Sequence, residues 1–253
     1  MCIRDRPFPE RLPIPGVWSL QVSFALAQDT LWAHAGHRVA FQQFLLPDTA
    51  AAPQLPLAAL PSMQTQSDGR ILTVTGTDFT ARFDLMKGNL CALGYQGLEL
   101  IAQGPTPNFW RAPTDNDAHA IEEMWRKAGL DRLQIRKRDC SWHYNKDGTL
   151  TVCACARLAA AACPPVADII STYTVYGNGD IDLKVDFRPQ DYLPYLPRMG
   201  VTLALDPTLE NLTYLGLGPG QTYCDLKENA SFGLWRSTVS QQYVETREPI
   251  SEC

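Results

Sequence analysis

The residues best placed to do chemistry fall within one short stretch, Pro107-Asn108-Phe109-Trp110-Arg111-Ala112-Pro113-Thr114-Asp115-Asn116-Asp117, with His119 two residues beyond. Arg111 sits between Trp110 and Ala112-Pro113. A guanidinium there can lie against an aromatic face or fork onto a carboxylate. Asp115, Asn116 and Asp117 are turn-capping acceptors, and Asp117 is also near enough to a following helix to favour its N-terminus. Two chemistries suit this set: a rigid polar corner, or a polar loop presented to a ligand. Residue types alone favour the corner. Carboxylates suit hydrolysis of a glycosidic bond, which needs two of them flanking that bond. Asp115 and Asp117 lie too close together, in one turn, to take opposite faces of a sugar, and no other pair is marked out. No catalytic residue is therefore nominated. Arg111, Asp115, Asn116, Asp117 and His119 stand as candidates for a site rim or a structural motif.

Other chemistries find little support. No G-x-S-x-G, H-E-x-x-H or phosphate-cradling glycine loop occurs. Leu215-Gly216-Leu217-Gly218-Pro219-Gly220 is glycine-rich but reads as a strand end entering a tight loop. His34, His37, His119 and His143 read as isolated side chains, and none has metal-ligand spacing with the eight cysteines. Cys153-Ala154-Cys155 puts two thiols on one face of a strand, where a zinc site is the sharper reading and two small apolar side chains the plainer, favoured one. No cofactor or metal is expected on these residues. The net charge of −5 carries no long run of one sign, which excludes the usual signatures of nucleic-acid and anionic-membrane binding. No segment reads as a membrane span or signal peptide. Reduced thiols and a cytoplasmic location are expected. Asn211-Leu212-Thr213 and Asn229-Ala230-Ser231 match the glycosylation sequon, a pattern short enough to arise by chance.

The elements that must position these residues are strands. With 253 residues and 45% hydrophobic content, the chain suits one large β domain or two smaller ones. Alternation marks strands at Trp18–Leu26 and Arg38–Pro47, then at Arg70–Gly76, Phe79–Asp84, Ala92–Tyr95 and Glu99–Ile101, with a turn over Met86–Leu90. Further strands are predicted near Leu133–Arg138, Thr149–Arg157, Ile169–Val175, Asp180–Phe187, Arg198–Ala204 and Asn211–Gly216. Tyr176-Gly177-Asn178-Gly179-Asp180 reads as a hairpin turn. The one helix expected is Ile121–Ala128, closed by Gly129. Pro47, Pro53, Pro56 and Pro61, with alanines between them, suggest an extended linker. Met1–Arg6 looks unrelated to the rest of the chain and Glu245–Cys253 lacks a closing strand, so both ends read as cut.

Several collinear segments carry a family resemblance. Asn108–Asp117 resembles the N-F-W-R-A-P-T-D-N-D signature of the glycoside hydrolase family 2 β-galactosidases. Trp32–Phe44, Trp125-Arg126-Lys127-Ala128-Gly129-Leu130, Leu196-Pro197-Arg198-Met199-Gly200, Tyr214–Pro219, Tyr223–Lys227 and Ser237–Val244 resemble further segments of the same family, in order. The resemblance covers about Val17 to Val244. It implies an all-β chain: the end of an immunoglobulin-like β-sandwich (residues 1–50), a Pro/Ala-rich linker (51–62), and a large galactose-mutarotase-like supersandwich (63–253) incomplete at its C-terminus. It also implies retaining hydrolysis of terminal β-galactosides by two glutamates on a barrel that precedes this region, with Mg and Na held mainly elsewhere in the full enzyme. The expected partners are the galactoside, the missing barrel domain and further copies in a homo-oligomer. The chain departs from the family at Gly220-Gln221-Thr222-Tyr223 and after Val244. Two other readings compete: a free-standing carbohydrate-binding β-sandwich or accessory subunit, against which the mid-domain start argues, and a mutarotase-like enzyme, for which no histidine sits in a matching segment.

Overall fold

A computed structural model describes residues 18–46, 56–118, 121–193, 195–220, 222 and 227–243. His119 lies outside the described residues, as do residues 51–55 of the expected linker and residues 223–226. The described residues form an all-β protein, as the alternation predicts. In chain order the strands are β1 (Ser19–Ala25), β2 (Arg38–Leu45), β3 (Gln64–Ser67), β4 (Ile71–Thr75), β5 (Phe79–Asp84), β6 (Asn89–Tyr95), β7 (Leu98–Glu99) and β8 (Ile101–Asn108). Helix α1 (Ile121–Lys127) follows, then β9 (Gln134–Tyr144), β10 (Leu150–Ala159), β11 (Pro165–Val175), β12 (Ile181–Pro189), β13 (Gly200–Leu205), β14 (Asn211–Gly218) and β15 (Ser231–Thr238). Contacts divide them into two units, one holding β3 to β13 and the other holding β1, β2, β14 and β15.

In the larger unit a five-stranded antiparallel sheet, β3-β4-β5-β6-β7, faces a four-stranded antiparallel sheet, β12-β11-β10-β9. Strand alternation explains the packing. Leu150, Val152 and Ala154 of β10 and Ile169, Tyr173 and Val175 of β11 are buried, while the residues between them are half-exposed. Leu150, Val152, Tyr173 and Val175 meet Leu72, Val74 and Phe83 in one core, where the Phe83 and Tyr173 rings touch edge-on at 5.3 Å. A second core, beneath the end of β8, joins Phe109, Trp125 and Leu130 to Leu158, Val166 and Ile169. The β11–β12 hairpin turns through Tyr176–Asp180 as expected, with Gly179 at φ +93° and the Tyr176 N–H donating to Asp180 O at 2.9 Å.

β8 holds Pro105 and Pro107, which an interior strand would not tolerate; here it pairs only with β13, in a two-stranded ladder. β8 passes close over β6 at Gly104, where a Cβ would overlap the Leu90 carbonyl. The turn expected over Met86–Leu90 is shorter than predicted, since β6 already begins at Asn89.

The smaller unit contains two antiparallel hairpins, β1-β2 and β14-β15. Gln43 links them: its Nε2 donates to Phe232 O at 2.8 Å, and the Phe232 N–H donates to its Oε1 at 2.6 Å. The amide thus copies both halves of a peptide pairing across 189 positions of sequence. β15 has no counterpart among the predicted strands. Its exposed residues include Leu234 and its half-buried ones Trp235 and Phe232, so no clean period of two shows in the sequence.

Candidate functional site

The stretch from Asn108 to Asp117 leaves the end of β8 and turns toward α1. Asn108 starts the turn with its own side chain: Oδ1 accepts from the Trp110 N–H at 3.0 Å and Nδ2 donates to Trp110 O at 2.8 Å. Phe109 then points inward, fully buried, and meets Phe187 edge-on at 5.5 Å.

Asp117 is the centre of the corner. Its Oδ2 accepts from Arg111 Nη1 at 2.6 Å, from the Thr114 N–H at 2.8 Å and from Thr114 Oγ1 at 3.0 Å. The same Arg111 nitrogen donates to Ala112 O at 3.0 Å. A further bond, from the Asp117 N–H to Thr114 O, closes the turn at 3.0 Å. Burial by itself raises the Asp117 carboxyl pKa; the hydrogen bonds from Arg111 and Thr114, together with the Arg111 charge, outweigh it and hold the group below its ordinary value. Asp117 therefore stays ionised, locked in place, with little freedom to move protons.

The aromatic half of the corner is an interleaved stack. The Arg111 guanidinium lies 5.2 Å from the centre of the Trp125 ring, and that of Arg126 lies 5.2 Å from the Trp110 ring. Trp110 and Trp125 meet edge-on at 6.3 Å, and Tyr195 adds a second edge contact at 6.2 Å. Trp125 is fully buried and satisfies its indole N–H on Tyr195 O at 3.0 Å. Arg126 is held in turn by Glu122 at 2.7 Å and Asp131 at 3.2 Å. Gly129 ends this segment at φ +78°, where the Cβ of any other residue would overlap Ala160.

Of the predicted residues, Arg111 and Asp117 come together in one ion pair. Asp115 and Asn116 stand exposed at the tip of the same turn. The aromatic face that Arg111 meets is that of Trp125, 14 positions on. One detail differs from expectation. Asp117 reaches α1 through its backbone, the Glu122 N–H donating to Asp117 O at 3.1 Å, while its carboxylate turns to Arg111 and Thr114. Thr114, Trp125 and Tyr195 complete the site without having been marked by the sequence pattern as its members. Thr114 lies within the marked stretch, as a turn-forming polar residue; Tyr195 carried no local signal.

Among the described residues, no group of three or more His, Cys, Asp and Glu side chains is placed to hold a metal ion. Cys153 and Cys155 do share one face of β10, as free thiols. No helix among the described residues is long and apolar enough to cross a membrane.

Residues 75–251 match the family described as beta galactosidase small chain, and residues 6–47 match the family described as beta-galactosidase, domain 4. The chain is similar to a beta-galactosidase of Priestia megaterium, with 35% identity over 92% of this chain and 22% of that protein. It is also similar to beta-galactosidases of Lactobacillus delbrueckii subsp. bulgaricus (30% identity, 94% and 23%) and Actinobacillus pleuropneumoniae (25%, 92% and 23%). The chain thus spans under a quarter of the length of these curated relatives.

Proposed function

Since the chain belongs to the beta galactosidase small chain family, we propose that it is the non-catalytic C-terminal part of a retaining β-galactosidase. That enzyme would hydrolyse terminal non-reducing β-D-galactose residues from lactose-type β-galactosides. Retention requires two carboxyl groups about 5 Å apart, one as nucleophile and one as acid/base. The best-organised carboxylate at the corner, Asp117, is pinned by three donors and does neither. In our reading the chemistry belongs to a barrel domain outside this chain, which this part buttresses. Mg and Na, in the same reading, are ligands of the full enzyme, and the assembly is a homo-oligomer. We place the protein in the cytoplasm, a reading supported by the free thiols at Cys91, Cys140, Cys153, Cys155 and Cys163. The division into residues 1–50, 51–62 and 63–253 is retained as a proposal, supported by family matches on either side of the proline-rich stretch.

The Asp115–Ala120 loop contributes to the rim of the sugar site in this proposal. The observation that carries it is the asymmetry of the turn: Asp117 and Thr114 are buried, while Asp115 and Asn116 beside them are exposed. A tip held this rigidly can offer polar groups to a sugar hydroxyl at low entropic cost. The test is Asn116→Ala and His119→Ala in the complete enzyme, with kcat and KM measured on a nitrophenyl β-galactoside. We expect kcat/KM to fall by about five-fold or more, the effect of losing roughly one hydrogen bond. Unchanged kinetics in both variants would remove the loop from the sugar site.

A further inference from the structure

Away from the corner, the outward face of the β12-β11-β10-β9 sheet gathers positive charge at one end. Strand register sets Arg136, Arg157, Asp168 and Arg188 in a single row, with Arg157 between Arg136 and Asp168, and Asp168 between Arg157 and Arg188. Like charges directly opposed across an antiparallel pair are destabilising, so the Arg136–Arg157 juxtaposition has a cost. Arg157 is relieved by a two-pronged bond to Asp168, Nε to Oδ1 at 2.7 Å and Nη2 to Oδ2 at 2.9 Å. Arg138 lies at the bulge in β9, and its charge, like that of Arg188, also acts on Asp168. One carboxylate therefore answers to three guanidinium groups, with Arg136 one strand beyond, and both its oxygens are already taken by Arg157. The next row holds Asp139 and Asp186, the latter 3.5 Å from Lys184.

Arg136, Arg138 and Arg157 open onto a notch of about 300 Å³, whose other wall is the turn from Ala159 to Pro165, four of its residues alanine. No carboxylate lines it. We propose that this notch binds the phosphate group of a small molecule. Asp168 shows why a carboxylate is the weaker fit: two oxygens are used up by a single fork. A phosphate monoester brings three terminal oxygens and nearly two negative charges, enough to accept from Arg136 and Arg138 together while Arg157 stays forked onto Asp168. The alanine wall makes no hydrogen-bonding demand and suits the apolar part of a small phosphorylated compound.

The test uses the chain itself, at low ionic strength because screening weakens exposed charge pairs. Inorganic pyrophosphate is titrated calorimetrically, and each variant is first checked by thermal melting. We expect saturable binding at one site, weakened about ten-fold or more in Arg136→Ser/Arg138→Ser and about three-fold in Arg136→Lys/Arg138→Lys, which keeps the charge but removes the fork. Lys184→Ser, two rows away, should bind as the parent does. Non-saturable binding, an equal loss in Lys184→Ser, or binding only to vesicles containing phosphatidic acid would each overturn the proposal. Because the parent titration alone can do so, the idea does not depend on any variant folding.

Discussion

At the scale of single residues, the corner depends on Asp117. It is 7% exposed and accepts three hydrogen bonds through one oxygen. Asp117→Asn removes the charge but leaves the Arg111 guanidinium largely buried beside it. Stripping one partner from such a pair costs more than the pair is worth, and we expect a loss of about 2–3 kcal/mol in urea unfolding. Asn116→Ala, at the exposed tip, should stay within about 0.5 kcal/mol of the parent. The pH dependence follows in sign. Hydrogen bonds and the Arg111 charge hold the Asp117 pKa below its ordinary value near 3.8. Its contribution is therefore complete above that value and is lost as pH falls through the depressed one. The stability gap between parent and Asp117→Asn, measured at a series of pH values, should be widest near pH 6 and narrow below pH 4. A gap that does not change with pH would mean that the charge of Asp117 contributes nothing.

At the scale of elements, close approach decides more than propensity. β8 lies against β6 at Gly104, and any Cβ there would overlap the Leu90 carbonyl. Backbone cannot give way as a flexible side chain can, so Gly104→Ala should destabilise by about 3 kcal/mol, read from the unfolding midpoint. A neutral result would show that the two strands do not approach so closely. Helix α1 makes the complementary point. Seven residues are too few for a stable helix in isolation. It persists because Trp125 is buried between Arg111, Trp110 and Tyr195, and because its exposed face carries the Glu122–Arg126 and Glu123–Lys127 pairs. Those pairs have i,i+4 spacing and add only a few tenths of a kcal/mol each. The aromatic contacts that hold the helix in place were not legible.

At the scale of the whole molecule, the two cores are ordinary but much apolar surface stays in water. Leu215 and Leu234 are cross-strand partners in β14 and β15 and are 66% and 62% exposed. Phe24, Leu203 and Leu205 are also exposed. Unpaired apolar sheet faces promote association. The chain alone should therefore bind a hydrophobic dye and self-associate at micromolar concentration, and Leu215→Lys/Leu234→Lys should reduce both; sedimentation that shows a monomer in parent and variant alike would refute this. What the sequence by itself determined is local. The period of two placed most strands, Asn178-Gly179 placed the hairpin, Gly129 placed the helix end, and the Asn108–Asp117 stretch marked the corner. Each of these depends on residues within a few positions of one another, where backbone sterics and alternation suffice. Only the tertiary structure decided that Arg111 stacks on Trp125, that Tyr195 closes the cluster, that Gln43 pairs with Phe232, and that arginines from three strands converge on Asp168. Those contacts join residues 11 to 189 positions apart, and strand order and register, which bring them together, are set by how whole sheets bury their apolar faces rather than by any local pattern.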